Sequence, residues 1–122
     1  MTGQAVSAGF KATATRFTKG DARSLRDGTL YAKGMVPEGM ESPFTLDWIQ
    51  FEGGQETSEE NHPVNKAFSV VSGKATAHVG NEAVELSPGA VLWVPSNTPH
   101  WFSVPADAPI QMTVTKWTGA KS

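Results

Sequence analysis

Four side chains in the sequence have the types and spacing to act together: Glu60, His62 and Lys66 within EENHPVNKAFSVVSG, and His100 at the head of HWFSV. Side chains alternate faces along a strand. Lys66 therefore shares a face with Phe68 and Val70, Glu60 with His62, and His100 with Phe102 and Val104. If Phe68 and Val70 face an interior, Glu60, His62, Lys66 and His100 converge on one pocket. Two imidazoles and a carboxylate suffice to hold divalent iron, manganese, nickel or zinc when they approach from one side and leave positions open. Glu60, His62 and His100 are that set. Lys66 opposes it, because an ammonium about 4 Å from a divalent cation costs ~8 kcal/mol at an effective dielectric near 20. The competing arrangement pairs Lys66 with Glu60 and leaves both histidines for acid-base work or for gripping an anion. Both arrangements stay open at this point.

Each of these residues also has a plainer reading. His62 precedes Pro63 in a loop-like stretch, where a histidine is more often on the surface, and a one-residue slip would turn Lys66 outward. Glu59 could stand in for Glu60 if the loop bulges, and Glu56, Glu59 and Glu60 together read as a solvated acidic run. His78, with parity opposite to Ala75, Ala77 and Val79, is expected in solvent. The tryptophans at 48, 93, 101 and 117 read as core or interface aromatics. Trp48, Phe68 and Phe102 are the expected substrate-contacting aromatics.

The elements that must position these residues are short strands. From about residue 44, FTLDWIQF, AFSVV, KATAHV, EAVEL, AVLWVP, HWFSV and IQMTVTKW are separated by Gly, Pro and Asn breakers, the texture of an antiparallel sandwich or barrel. The Gly80-Asn81 pair predicts a tight hairpin, since both residues tolerate positive φ. Before residue 44, TATRF and TLYAKGMV are candidate edge strands, and KGDARSLRDG between them reads as a loop with one turn at RSLRD. No window keeps the three-and-four apolar spacing of a three-turn helix.

With 122 residues, one domain over 1–122 is expected, its core within about 44–117 and residues 1–43 supplying edge strands and a loop. A hydrophobic fraction of 39% with 18% charged fits an ordinary globular chain. The net charge of -2 offers no footprint for nucleic acid or an anionic membrane. The absence of cysteine excludes disulfides and thiolate chemistry. No apolar run is long enough to span a bilayer and no signal sequence opens the chain, so a cytoplasmic protein is expected.

Two segments resemble the signature motifs of the small single-domain cupins. In GQETSEENHPVNKAFSVVSG, Gly54, His62 and Gly73 fall on the frame of the first motif, with Glu60 in place of its first histidine and Lys66 in place of its glutamate. In GAVLWVPSNTPHWFSV, Gly89, Pro95 and His100 match the second, with Asn97 for a glycine and Val104 for an asparagine. Asn is a mild exchange there, because it too accepts left-handed backbone. The resemblance implies an all-β fold, a cupin-type jelly-roll barrel with its site in the mouth, and a homodimer formed through sheet edges.

On this reading the expected function is non-oxidative acid-base chemistry on a small organic molecule: isomerisation, dehydration, cyclisation or lyase cleavage. His100 or His62 acts as base and Lys66 stabilises the developing anion, with Glu60 its partner or a metal ligand. One divalent metal or none is implied, and no organic cofactor. An iron-dependent dioxygenase built on Glu60, His62 and His100 is the second reading, and a non-catalytic small-ligand binding domain the third.

Overall fold

The computed structural model describes residues 15, 23–24, 29–37, 40 and 42–118. Among the described residues nine strands run in chain order: β1 (Arg23–Ser24), β2 (Leu30–Ala32), β3 (Thr45–Phe51), β4 (Asn65–Ser72), β5 (Ala75–Val79), β6 (Glu82–Leu86), β7 (Val91–Val94), β8 (His100–Ser103) and β9 (Ile110–Trp117). All seven strands expected after residue 44 are present, and among the described residues there is no helix. TLYAKGMV contains β2. Arg23 and Ser24, expected in a turn, instead pair with Tyr31 and Leu30 as a short strand. TATRF lies outside the described residues except for Thr15, whose hydroxyl donates to the Met35 carbonyl.

The strands form two antiparallel sheets, ordered β1-β2-β3-β9-β4-β7 and β6-β5-β8. The fold is an all-β jelly roll. Its core lies between the sheets: Phe51, Phe68, Val70, Leu92, Val94, Ile110, Met112 and Val114 from the larger face Ala75, Ala77, Leu86 and Phe102 from the smaller. Strand β9 is the spine, pairing with β3 on one side and β4 on the other. Its alternation is regular, with Ile110, Met112 and Val114 fully buried and the intervening residues half-buried. Burying each such side chain contributes about 1.5–3 kcal/mol.

Turn chemistry closes the barrel. Gly80 and Asn81 join β5 to β6 as the expected two-residue hairpin, with Val79 opposite Glu82. Asn97 has φ 61, the left-handed conformation for which Asn is suited at a motif glycine position. Gly73 (φ 85) packs so closely under the chain that a Cβ would lie 2.2 Å from the Pro109 carbonyl oxygen. None of the tryptophans joins the buried core cluster. Trp101 stacks on His78 at 3.7 Å, and Trp93, 65% exposed on the outer strand β7, meets Trp117 edge-on. His78 is thus half-covered by that ring instead of free in solvent.

Gly89 (φ 95) has the same backbone requirement as Gly73, but a Cβ there would meet nothing within 4 Å. Gly89→Ala is therefore expected to cost only the left-handed backbone penalty, about 1–3 kcal/mol. Gly73→Ala adds a backbone clash and is expected to lower stability further, as measured by urea unfolding of both variants.

Candidate functional site

The two sequence segments meet through the backbone. Residues 55–60 run beside β8, with Glu60 and His100 exchanging both peptide hydrogen bonds (2.8 and 2.9 Å) and the Thr57 amide donating to the Phe102 carbonyl. The left-handed turn at Asn97 aims its amide at the His62 carbonyl, 2.7 Å away. Each histidine is thus fixed by the other's segment. Lys66 enters from β4, on the inner face with Phe68 and Val70 as strand parity requires, and is only 6% exposed.

The four side chains form a chain of contacts. His62 Nε2 lies 3.1 Å from Glu60 Oε1, His62 Nδ1 lies 2.7 Å from Lys66 Nζ, and Lys66 Nζ lies 3.4 Å from His100 Nε2. His100 Nδ1 stands 2.9 Å from the Thr98 carbonyl oxygen. A carbonyl can only accept, so His100 carries its proton on Nδ1 and turns a lone pair at Nε2 toward the pocket. By the same logic His62 donates from Nε2 to Glu60 and accepts from Lys66 at Nδ1. Glu59 and Glu56 are exposed, so Glu60 is the acid of this run that reaches the pocket.

Burial and charge act together on the titrating groups. Burial, then the nearby Lys116 ammonium, pushes Lys66 down to about 8, against the opposing pull of Glu60. Burial lowers His62 first and Lys66 lowers it further. His100 is also lowered, chiefly by burial, although its bond to the Thr98 carbonyl works the other way. Both imidazoles are held toward the neutral form.

The surrounding cavity has a volume of about 370 Å³ and is walled by Ile49, Phe51, Phe68, Phe102 and Val114. Phe68 and Phe102 occupy their expected places, with ring centroids 5.1 Å apart. Trp48 does not. Strand β3 turns Ile49 and Phe51 into the cavity and Trp48 to the other side of the sheet, where it pairs in register with Ala32 and Thr113. The cavity also contains Tyr31, Lys33 and Lys116, which the sequence reading missed. For Lys116 the signal was present, since it continues the parity of Ile110, Met112 and Val114.

The fit to a divalent metal can be judged from this donor set. His62 has one ring nitrogen facing Glu60 and the other facing Lys66, and the space where the two imidazoles converge is taken by the Lys66 nitrogen. Among the described residues no group of three or more His, Cys, Asp or Glu side chains is arranged to hold a metal ion. With Lys66 in this position the residues do not fit a divalent cation.

The family model for the Cupin domain matches residues 47–116, which include both motif segments. The chain belongs to the cupin family. The Cupin 2 conserved barrel domain protein from Salinispora arenicola CNS-205 is a similar solved structure, at TM-score 0.75 and 19% identity, covering 89% of this chain and 92% of that one. The plu4264 protein from Photorhabdus luminescens has TM-score 0.74 and 16% identity, with 88% of each chain covered. The polyketide cyclase RemF from Streptomyces resistomycificus has TM-score 0.68 and 19% identity, covering 85% of this chain and 79% of its own. No curated protein matches the chain in a sequence search. These likenesses establish the cupin barrel.

A lysine whose pKa is depressed in the folded state binds its proton more readily in the unfolded chain, so folding is penalised below about pH 8 and relieved as pH rises toward the unfolded value. The penalty at neutral pH is at most about 3 kcal/mol. Stability of this cupin is expected to rise between about pH 8 and pH 10, until ionisation of Tyr31, whose raised pKa has the opposite sign, reverses the trend. Lys66→Met is expected to gain about 1–3 kcal/mol near pH 7 and to lose that alkaline rise. Urea unfolding across the pH series checks both.

Proposed function

We propose that this cupin is an enzyme that moves a proton on a small organic molecule without oxidation and without a metal, in the class of isomerases, dehydratases, cyclases and lyases. The observation that carries the reading is the Lys66 ammonium held between His62 Nδ1 and His100 Nε2. His100 is the base. Its Nδ1 proton is committed to the Thr98 carbonyl, and its Nε2 lone pair faces the cavity. Nε2 takes a proton from the carbon next to a substrate carbonyl, the electron pair of that C–H bond becomes the new carbon–carbon double bond, and the carbonyl π pair moves onto oxygen to give an enolate. Lys66 donates to that oxygen, supplying positive charge where negative charge develops. The proton on His100 then returns at a different carbon, giving an isomer, or goes to a leaving group expelled by the enolate, giving elimination.

Glu60 and His62 act behind this step. The carboxylate accepts the Nε2 proton of His62, which turns Nδ1 toward Lys66 and fixes the ammonium. His62 is held closely on both sides, by Glu60 at 3.1 Å and Lys66 at 2.7 Å, whereas Lys66 stands 3.4 Å from His100 Nε2, so His62 serves as the positioning residue and His100 as the base. RemF, named a polyketide cyclase, shares the barrel. That likeness supports the fold, and the assignment of chemistry rests on the side chains.

Two measurements test the reading. Elemental analysis of tag-free protein is expected to find far less than one transition metal per chain, while Lys66→Glu gains metal. Near-stoichiometric metal in the native protein would overturn the metal-free reading, and bound iron with oxygen uptake would move the protein to the oxygenases. Deuterium exchange into a panel of small carbonyl compounds, followed by NMR, identifies a substrate. On that compound His100→Ala is expected to slow exchange by about 100-fold or more, and full activity in the His62→Ala/His100→Ala double variant would sink the assignment.

A further inference from the structure

We propose that Lys116, held by Tyr31 and Asp47, is the anchor for a substrate carboxylate, so that the cavity takes a small monocarboxylic acid with an apolar body. The proposal rests on the reading of this cavity as the working site and adds the class of molecule it takes. Lys116 on β9 is the direct cross-strand partner of Lys66 on β4. Like charges placed opposite each other on one face destabilise a sheet, and both line the same cavity. Asp47 offsets the charge of Lys116 from behind, and an anion between the two ammonium groups would offset their mutual repulsion from the cavity side.

The contacts around Lys116 show which group faces the ligand. The Tyr31 hydroxyl gives its proton to Asp47 Oδ2 and accepts from Lys116 Nζ at 2.6 Å. Asp47 Oδ1 accepts from the Gly34 amide at 3.1 Å, and Lys116 Nζ lies 3.3 Å from Oδ2. Asp47 is the buried member, with 6% of its side chain exposed against 28% for Lys116. Tyr31 has spent its proton and Asp47 sits behind the wall, so the group presented to the cavity is an ammonium with one N–H beyond those facing Tyr31 and Asp47. Lys33 adds a further positive charge at the exposed rim.

The charges point to a monoanion. The cavity is lined by three lysines, at 33, 66 and 116, against the carboxylate of Glu60 and that of Asp47 paired with Lys116, so with both imidazoles neutral one positive charge is left over. The apolar lining from Ile49, Phe51, Phe68, Phe102 and Val114 excludes a compact, fully hydrated anion and suits an apolar body. A carboxylate held at Lys116 places the neighbouring carbons beside Lys66 and His100.

Calorimetry with benzoate, benzamide and inorganic phosphate tests this. The native protein is expected to bind benzoate at least roughly tenfold more tightly than the other two, and Lys116→Met to lose that preference. Because Lys116→Met strands the buried Asp47 carboxylate, the Asp47→Asn/Lys116→Met variant is the second arm and is expected to behave the same way. The benzoate-to-benzamide ratio separates anion anchoring from a purely structural role. Equal binding of benzamide, tighter binding of phosphate, no benzoate binding by the native protein, or unchanged benzoate affinity in the two Lys116 variants would each overturn the proposal. Benzoate calorimetry on the native protein reads the carboxylate site and proton exchange in His100→Ala reads the acid-base assignment, so a native protein that binds benzoate while His100→Ala keeps full exchange would sink the acid-base assignment and leave the carboxylate site standing.

Discussion

An ammonium group buried in a barrel must be surrounded by groups that accept its protons and carry no positive charge of their own. Lys66 meets that constraint with two imidazoles, and much of the site follows from it. Both imidazoles must be neutral to accept, which fixes where each carries its proton: His100 toward the Thr98 carbonyl and His62 toward Glu60. The cost of keeping Lys66 charged is comparable to the gain from burying one or two core side chains, so the packing of Ile110, Met112 and Val114 along β9 can offset that cost.

The fold delivers these groups through pairing, with little help from local preference. Glu60 and His100 are locked opposite each other by two backbone hydrogen bonds, and His62 is tied to the Asn97 turn. Strand β9 carries Lys116 to the position opposite Lys66 while its other inward residues fill the core. One strand therefore serves both stability and recognition, and its register sets the distance between the two cations.

Much of this was legible in the sequence where the signal is local. Alternation and turn residues located the strands after residue 44, and parity together with the motif frame brought Glu60, His62, Lys66 and His100 into one pocket. Trp48 was misplaced because its size suggested a pocket wall, whereas the inward parity of β3 belongs to Ile49 and Phe51. The Tyr31, Asp47 and Lys116 cluster was missed because it joins β2, β3 and β9. β2 and β3 follow one another in the chain, but β9 joins them only through the sheet order, which no short stretch of sequence encodes.

The opposed lysines also make the protein a reporter of its own ligand. Two cations facing each other across β4 and β9 leave electrostatic repulsion stored in the empty barrel, and whatever molecule relieves it binds the folded state alone. Such a molecule raises the melting temperature by an amount that grows with the logarithm of its concentration relative to its Kd. A library of metabolites can thus be ranked by heat alone, before any reaction is known, with the barrel itself as the detector.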